Sequence, residues 1–266
     1  MTTGWVRPPA VAGTFYPDDP ARLSSQIETM LADADPGTGA PGWPRALIAP
    51  HAGYVYSGPI AASAYARIAP GRDTITRVVL LGPAHRVPVR GLAVSTAESF
   101  DTPLGLVPLD RDAIDRCRTL PGVCVSDAAH AAEHSLEVHL PFLQTVLGHF
   151  ALVPLVVGDA SPEEVAGVID ALWDGPETLF VVSTDLSHYE PYSVAAELDG
   201  ATTRAIEALR PGDISYDQAC GRIPVQGLLL TAQRRGLGVE TIDVRSSGDT
   251  AGSRDAVVGY GAWCFA

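Results

Sequence analysis

The sequence predicts an α/β fold, a three-layer α/β/α sandwich around a mostly parallel or mixed central sheet. Three observations carry that prediction. Short apolar runs alternate with amphipathic stretches, those stretches have legible helix starts and stops, and three histidines follow three of the apolar runs in one shared layout. The apolar runs are residues 46–49, 78–81, 152–157, 179–182, 239–244 and 256–265. Runs this short, most of them apolar at consecutive positions and 239–244 interrupted by Glu240, Thr241 and Asp243, suit strands covered by helices.

The helical stretches lie between them. Pro20 opens one whose Leu23, Ile27, Met30 and Leu31 share a stripe. Ser57-Gly-Pro59 reads as the start of a second. Ser161-Pro-Glu-Glu164 combines an N-cap serine, a proline in the first turn and a capping-box glutamate, after which Val165, Val168, Ile169 and Leu172 keep helical spacing. A further helix begins near Pro224 and closes at Gly236. The Gly/Pro-rich stretch 36–44 reads as a loop too short to separate domains, and no internal repeat is present, so residues 1–266 are expected to form a single domain.

Composition excludes several functions. With 18 basic against 31 acidic residues and a net charge of −13, the balance argues against a face that tracks a nucleic-acid backbone and disfavours adhesion to an anionic membrane, while leaving room for a local Arg cluster to bind an anion. It contains no lysine, so a phosphate-loop lysine, a Schiff base and a lysine general base are ruled out. No segment reaches the roughly 18 apolar residues of a transmembrane helix. The start has Arg7 and two prolines instead of an apolar signal region. Cys117, Cys124, Cys220 and Cys264 lack CxxC spacing and are expected to be reduced, in keeping with a cytoplasmic protein.

The histidines carry the chemical signal. Leu47-Ile-Ala-Pro-His51, Val78-Val-Leu-Leu-Gly-Pro-Ala-His85 and Leu179-Phe-Val-Val-Ser-Thr-Asp185-Leu-Ser-His188 are each a buried strand that breaks at Pro, Gly or Ser and then presents an imidazole. In open α/β sheets ligands bind beyond the carboxyl ends of the strands, so these imidazoles and Asp185 form a candidate metal or acid–base constellation, provided the strands are neighbours. Cys220 precedes a helix start, where the dipole favours thiolate and hence metal ligation or nucleophilicity. Cys117, Cys124 and Cys264 have no comparable setting, and His130 and His149 read as solvated.

The segments Ala49-Pro-His-Ala-Gly-Tyr54, Leu81-Gly-Pro-Ala-His85, Glu133-His-Ser-Leu-Glu-Val-His-Leu-Pro141, Ser183-Thr-Asp-Leu-Ser-His188 and Cys220-Gly-Arg222 resemble the signature blocks of the Memo-like family. So do Ala12-Gly-Thr-Phe-Tyr-Pro17 and Val257-Val-Gly-Tyr260, and the order of the blocks spans nearly the whole chain. The eukaryotic namesake mediates ErbB-driven cell motility; prokaryotic members are called AmmeMemoRadiSam system protein B. The resemblance implies an extradiol-dioxygenase-like fold and possible radical-SAM and AMMECR-type system partners. It implies a metal site of His51, His85 and Cys220, with Cys220 standing where the dioxygenases have a carboxylate. His188 would be the acid–base residue, oriented by Asp185, and Glu133, His134 and Tyr54 would surround the ligands. Ala84 and Arg86 flank His85 where the family has serine and histidine, which alters the surroundings of that ligand.

Two imidazoles with a carboxylate suit iron (Fe2+); a thiolate in the carboxylate's place also admits copper or zinc. Two function classes stay open: a metal-dependent redox enzyme acting on a small molecule, and a non-catalytic protein that holds a peptide or partner in the strand-end pocket. A third reading is a cysteine hydrolase with Cys220, His188 and Asp185 as nucleophile, base and orienter.

Overall fold

The structure is a computed structural model that describes residues 5–35 and 42–266. Its strands are β1 Val6–Arg7, β2 Ala46–Ala49, β3 Arg77–Pro83, β4 Leu92–Val94, β5 Ser99–Phe100, β6 Val107–Pro108, β7 Val123–Val125, β8 Ala151–Val157, β9 Thr178–Ser183, β10 His188–Glu190, β11 Val239–Ser246 and β12 Val257–Phe265. Its α-helices are α1 Pro20–Asp33, α2 Tyr54–Ala66, α3 Arg111–Arg118, α4 Asp127–Ala131, α5 His134–Glu137, α6 Leu140–Leu147, α7 Pro162–Ala171, α8 Tyr192–Glu207 and α9 Arg222–Arg235. The six apolar runs of the sequence are β2, β3, β8, β9, β11 and β12.

The large sheet has the order β10-β12-β2-β9-β3-β8-β4-β7, with β11 also paired to β12. Its centre, β2-β9-β3-β8, is parallel; antiparallel pairing with β12 on one side and β4 on the other makes the sheet mixed. Every residue of β2 and β9 is buried, as the unbroken apolar runs required. Helix α2 lies on β2, β11 and β12 and is covered by α1 and α6; α9 lies on β9 and β3 beside α7, and α8 lies on β11 and β12. The three-layer α/β/α sandwich is thereby established. Among the described residues no helix is long and apolar enough to cross a membrane.

Helix signals were mostly legible. Asp19 caps α1, Ser161 and Glu164 form the expected capping box on α7, and Gly236 closes α9 with φ 65°. The second helix differs from expectation. It begins at Tyr54, not at Ser57, and holds Pro59 inside. An internal proline forfeits a ladder hydrogen bond, but α2 is buried nearly all round, and that burial outweighs the loss. Residues 36–41 of the expected 36–44 loop lie outside the described residues; 42–44 are irregular.

The α7–α9 contact is close because Gly227 has no side chain. A Cβ there would stand 2.4 Å from Val165 Cγ1, whereas Gly167 on exposed α7 surface has nothing within 4 Å. Alanine favours helix over glycine by about 1 kcal/mol at either site. Gly167→Ala should therefore stabilise by about 0.4–1 kcal/mol, and Gly227→Ala should destabilise by about 1–3 kcal/mol through overpacking. Urea unfolding of both variants checks this; a stabilising Gly227→Ala would contradict the packing described.

Candidate functional site

Because β9 lies between β2 and β3, the loops after these three strands leave the same sheet edge side by side. They carry His51, the Asp185–His188 turn and His85. A fourth group arrives from another element: Glu133 caps the short helix α5, whose first residue is His134. The imidazoles of His51, His85 and His134 converge. Their ring centroids are 5.1 Å (His51–His85), 5.5 Å (His51–His134) and 4.8 Å (His85–His134) apart. Each offers one ligand nitrogen within 4.8 Å of the others.

Two of these rings are oriented through Nδ1. Glu133 grips His85 twice, accepting from its backbone N–H at 2.6 Å and pairing with Nδ1 at 3.0 Å. Burial opposes the Glu133 charge, but the hydrogen bonds from His85 and the Ser135 N–H prevail and hold the carboxyl down at about 2. Ser183 Oγ stands 2.6 Å from His51 Nδ1. Nε2 is left as the atom that either ring could offer a metal ion. His134 Nδ1 is buried without a hydrogen-bond partner. Burial, and then the neighbouring imidazole charges, push His51 well below its ordinary range and His134 down to about 4, so both rings are neutral near pH 7.

Asp185 and Cys220 adjoin His51. Asp185 Oδ1 accepts the His51 N–H at 2.8 Å, and burial raises this carboxyl to about 7. Cys220 Sγ lies 3.4 Å from His51 Nε2 and accepts the Asp185 N–H at 3.3 Å. The loop can approach this closely because Gly221 follows: a Cβ there would stand 2.4 Å from the Ser183 carbonyl. The expected thiolate is not favoured. Burial first, and then the Asp185 charge, push the Cys220 thiol up to about 12, overriding the helix start.

His188 donates from Nδ1 to the Leu186 carbonyl at 2.8 Å, so that carbonyl, and not Asp185 as the sequence suggested, orients it. The turn itself is clasped to β12 through Leu186 N–H to Gly259 O and Gly259 N–H to Ser187 O, each 2.8 Å. Tyr54 donates its hydroxyl to the Val138 carbonyl and lies buried under α5 and α6. His130, expected in solvent, is 1% exposed, with Nε2 on the Ala93 carbonyl; His149 is exposed. Glu137, unassigned from sequence, is fully buried and accepts from Arg7, Ala10 N, Val11 N and the Tyr16 hydroxyl, tying the N-terminal segment to the helix that carries His134. Phe15 of that segment meets His134 edge-on at 5.1 Å.

A cavity of about 610 Å³ opens over the three imidazoles, with Phe15, Tyr56, Tyr189 and Tyr260 among its walls. A second space of about 650 Å³ shares His85 and His188 with it and reaches Cys220, Arg222 and Tyr216. Tyr189, 76% exposed, has φ 59°, a conformation rare for a residue with a Cβ and found where surroundings impose it.

A family model described as Memo-like protein matches residues 7–264. The chain belongs to the Memo-like family. MEMO1 family proteins of Ignicoccus hospitalis and Sulfolobus acidocaldarius are similar to it, at 37% and 34% identity, over 98% and 96% of this chain and 98% and 97% of theirs. That of Thermotoga maritima is 35% identical over 96% of this chain and 97% of its own. A crystal structure of an uncharacterized protein from Escherichia coli K12 shares the fold alone, with TM-score 0.54 and 15% identity over 81% of this chain and 98% of that one.

The buried groups make two solution properties predictable for metal-free protein. Iodoacetamide at neutral pH should modify exposed Cys124 well before Cys220, whose thiol ionises only near pH 12; Cys220 labelling first at pH 7 would contradict its burial. In the folded chain His130 and His134 titrate near 4 and His139 near 3, below the ordinary 6.5. Unfolding lets them take up protons, so their stabilisation is complete above pH 6.5 and is lost as pH falls through those values. Asp185 acts oppositely: its contribution is full below pH 3.8 and lost as pH rises through about 7. Three histidines outweigh one carboxyl, so the urea midpoint should climb from pH 4 to 6.5. A flat or falling midpoint would show that these rings are not buried.

Proposed function

We propose that the chain is a metal-dependent oxidoreductase of the non-haem type. Its ion would be held by the imidazoles of His51, His85 and His134, with iron (Fe2+) as the metal and a small aromatic molecule in the cavity above. The observation that carries this reading is the convergence of three ligand nitrogens within 4.8 Å at the floor of that cavity. The residues fit an ion. Glu133 and Ser183 take up Nδ1 of two rings, and Nδ1 of the third makes no hydrogen bond and lies 3.4 Å from Glu133 Oε1. Histidine takes the third place that the sequence reading gave to Cys220. Imidazole also suits copper and zinc, so both stay within the chemistry of this donor set.

Bound iron with open positions would supply one-electron chemistry and a place for dioxygen or a substrate oxygen. The chain's own residues account for the rest. His188 gives its Nδ1 hydrogen to Leu186, so its Nε2 lone pair can take a proton from a substrate hydroxyl in the cavity. Asp185, at about 7, keeps a carboxyl that holds or gives a proton near neutral pH while fixing the His51 loop. Phe15, Tyr56, Tyr189 and Tyr260 offer flat faces to an aromatic ring and exclude water from part of the cavity. The hydrolase reading is disfavoured, since the imidazole next to Cys220 is His51 and the thiol is protonated at working pH.

The test is iron loading under anaerobic conditions followed by oxygen-electrode assays on a panel of catechols. Wild type should bind one ion and consume oxygen. His51→Ala should lose the ion, and His188→Ala should keep it while oxygen uptake falls by about 10²–10⁴-fold, as for loss of a general base. Ion binding without uptake above that of free iron would favour the partner-binding reading, and unchanged binding in His51→Ala would overturn the site.

A further inference from the structure

Behind His51, away from the cavity, lies a buried hydrogen-bond chain of Ser183, His139 and Tyr65. Ser183, the last residue of β9, is fully buried, and its Oγ has three partners: the Ser135 carbonyl at 2.7 Å, His51 Nδ1 at 2.6 Å and His139 Nε2 at 2.8 Å. His139 Nδ1 in turn meets the Tyr65 hydroxyl at 2.7 Å. His139 and Tyr65 are likewise buried.

The proton positions follow from what each group can do. A carbonyl oxygen only accepts, and a hydroxyl has one hydrogen to give. Ser183 must therefore donate to Ser135, which leaves it only lone pairs for the two imidazoles. Both ring nitrogens that face it must carry hydrogen, because two lone pairs at 2.6–2.8 Å would repel. His51 is then the Nδ1–H tautomer, with its lone pair on Nε2. His139 is the Nε2–H tautomer, and its Nδ1 accepts from Tyr65. A reversed His139 would set lone pair against lone pair at Ser183.

We infer that Ser183 is a positioning residue that locks His51 in the Nδ1–H tautomer, with the Ser135 carbonyl, His139 and Tyr65 fixing the direction of the chain. This rests on the reading of His51 as a metal ligand, and it deepens it: the unliganded protein already holds the ligating lone pair on Nε2. Glu133 performs the matching task for His85 with a carboxylate, so the two ligands are oriented by chemically different acceptors. A neutral acceptor behind His51 adds no charge to a pocket that already holds Asp185.

Long-range ¹H–¹⁵N correlation spectra of metal-free wild type should show His51 protonated at Nδ1 and His139 at Nε2. In Ser183→Ala, a change that removes one oxygen from a buried site, His51 should lose that single tautomer. One Co(II) ion should still bind, with affinity reduced about 10–100-fold, as for loss of other groups that orient a ligand. Tyr65→Phe leaves the hydroxyl behind His51 in place and should weaken Co(II) binding less than Ser183→Ala. A hydrogen on His51 Nε2 in wild type would overturn the inference, as would Ser183→Ala binding Co(II) as tightly as wild type. The wild-type spectrum decides even if Ser183→Ala does not fold. Unchanged Co(II) binding in His51→Ala would instead defeat the ligand reading and leave the tautomer result standing, so the two failures are distinguishable.

Discussion

The parallel pairing of β9 between β2 and β3 is the constraint from which the site follows. Registers that set Ala49 against Ser183 and Leu81 against Val182 bring the ends of three strands level. His51, the Asp185–His188 turn and His85 then emerge together without any loop having to travel. Parallel strands of this kind are stable only when both faces are covered, and α2 on one side and α9 on the other supply that cover. The layers that bury the strands thus also align the chemistry at their carboxyl ends.

Burial then sets the electrical state of the centre. Three imidazoles this close cannot all be charged, and desolvation keeps His51 and His134 neutral, which is the state a metal needs from histidine. Each nitrogen turned away from the ligating edge must still be satisfied or left orphaned. Glu133 and Ser183 satisfy those of His85 and His51, while His134 Nδ1 makes no hydrogen bond and lies 3.4 Å from Glu133 Oε1. The helix that presents His134 is only one turn long, so its position depends on ties from outside. Arg7 supplies them by donating to the His130 and Glu133 carbonyls and pairing with Glu137 in the interior. Removing one partner of such a buried pair typically costs about 3–5 kcal/mol, because the other charge is left unpaired.

How much was legible in the sequence follows from the kind of signal each feature leaves. Both-face burial writes a nearly unbroken apolar run, so β2, β3, β8, β9 and β12 could be read, and helix ends write their own residues, as Pro20, Ser161 and Gly236 did. The short strands β4 and β7 and the helix α8 left no such trace; α8 carries Gly200 and a Thr202-Thr203 pair that blur its stripe. His51, His85 and His188 were visible because they follow strands. His134 belongs to the same Glu-His-Ser-Leu-Glu-Val-His block that the sequence marked, yet its place among the ligand nitrogens depends on how α5 docks, which spacing does not encode. At Cys220 a helix start suggested a thiolate, and in the metal-free chain burial, invisible at that position, raises the thiol instead.

In the proposed site the three imidazoles, and not the thiol, hold the ion. Anomalous diffraction at the iron edge from crystals of anaerobically loaded protein tests it directly. One peak should lie about 2.0–2.2 Å from nitrogens of His51, His85 and His134. A peak bonded to Cys220 Sγ with His134 outside bonding distance, or one remote from all three rings, would contradict it.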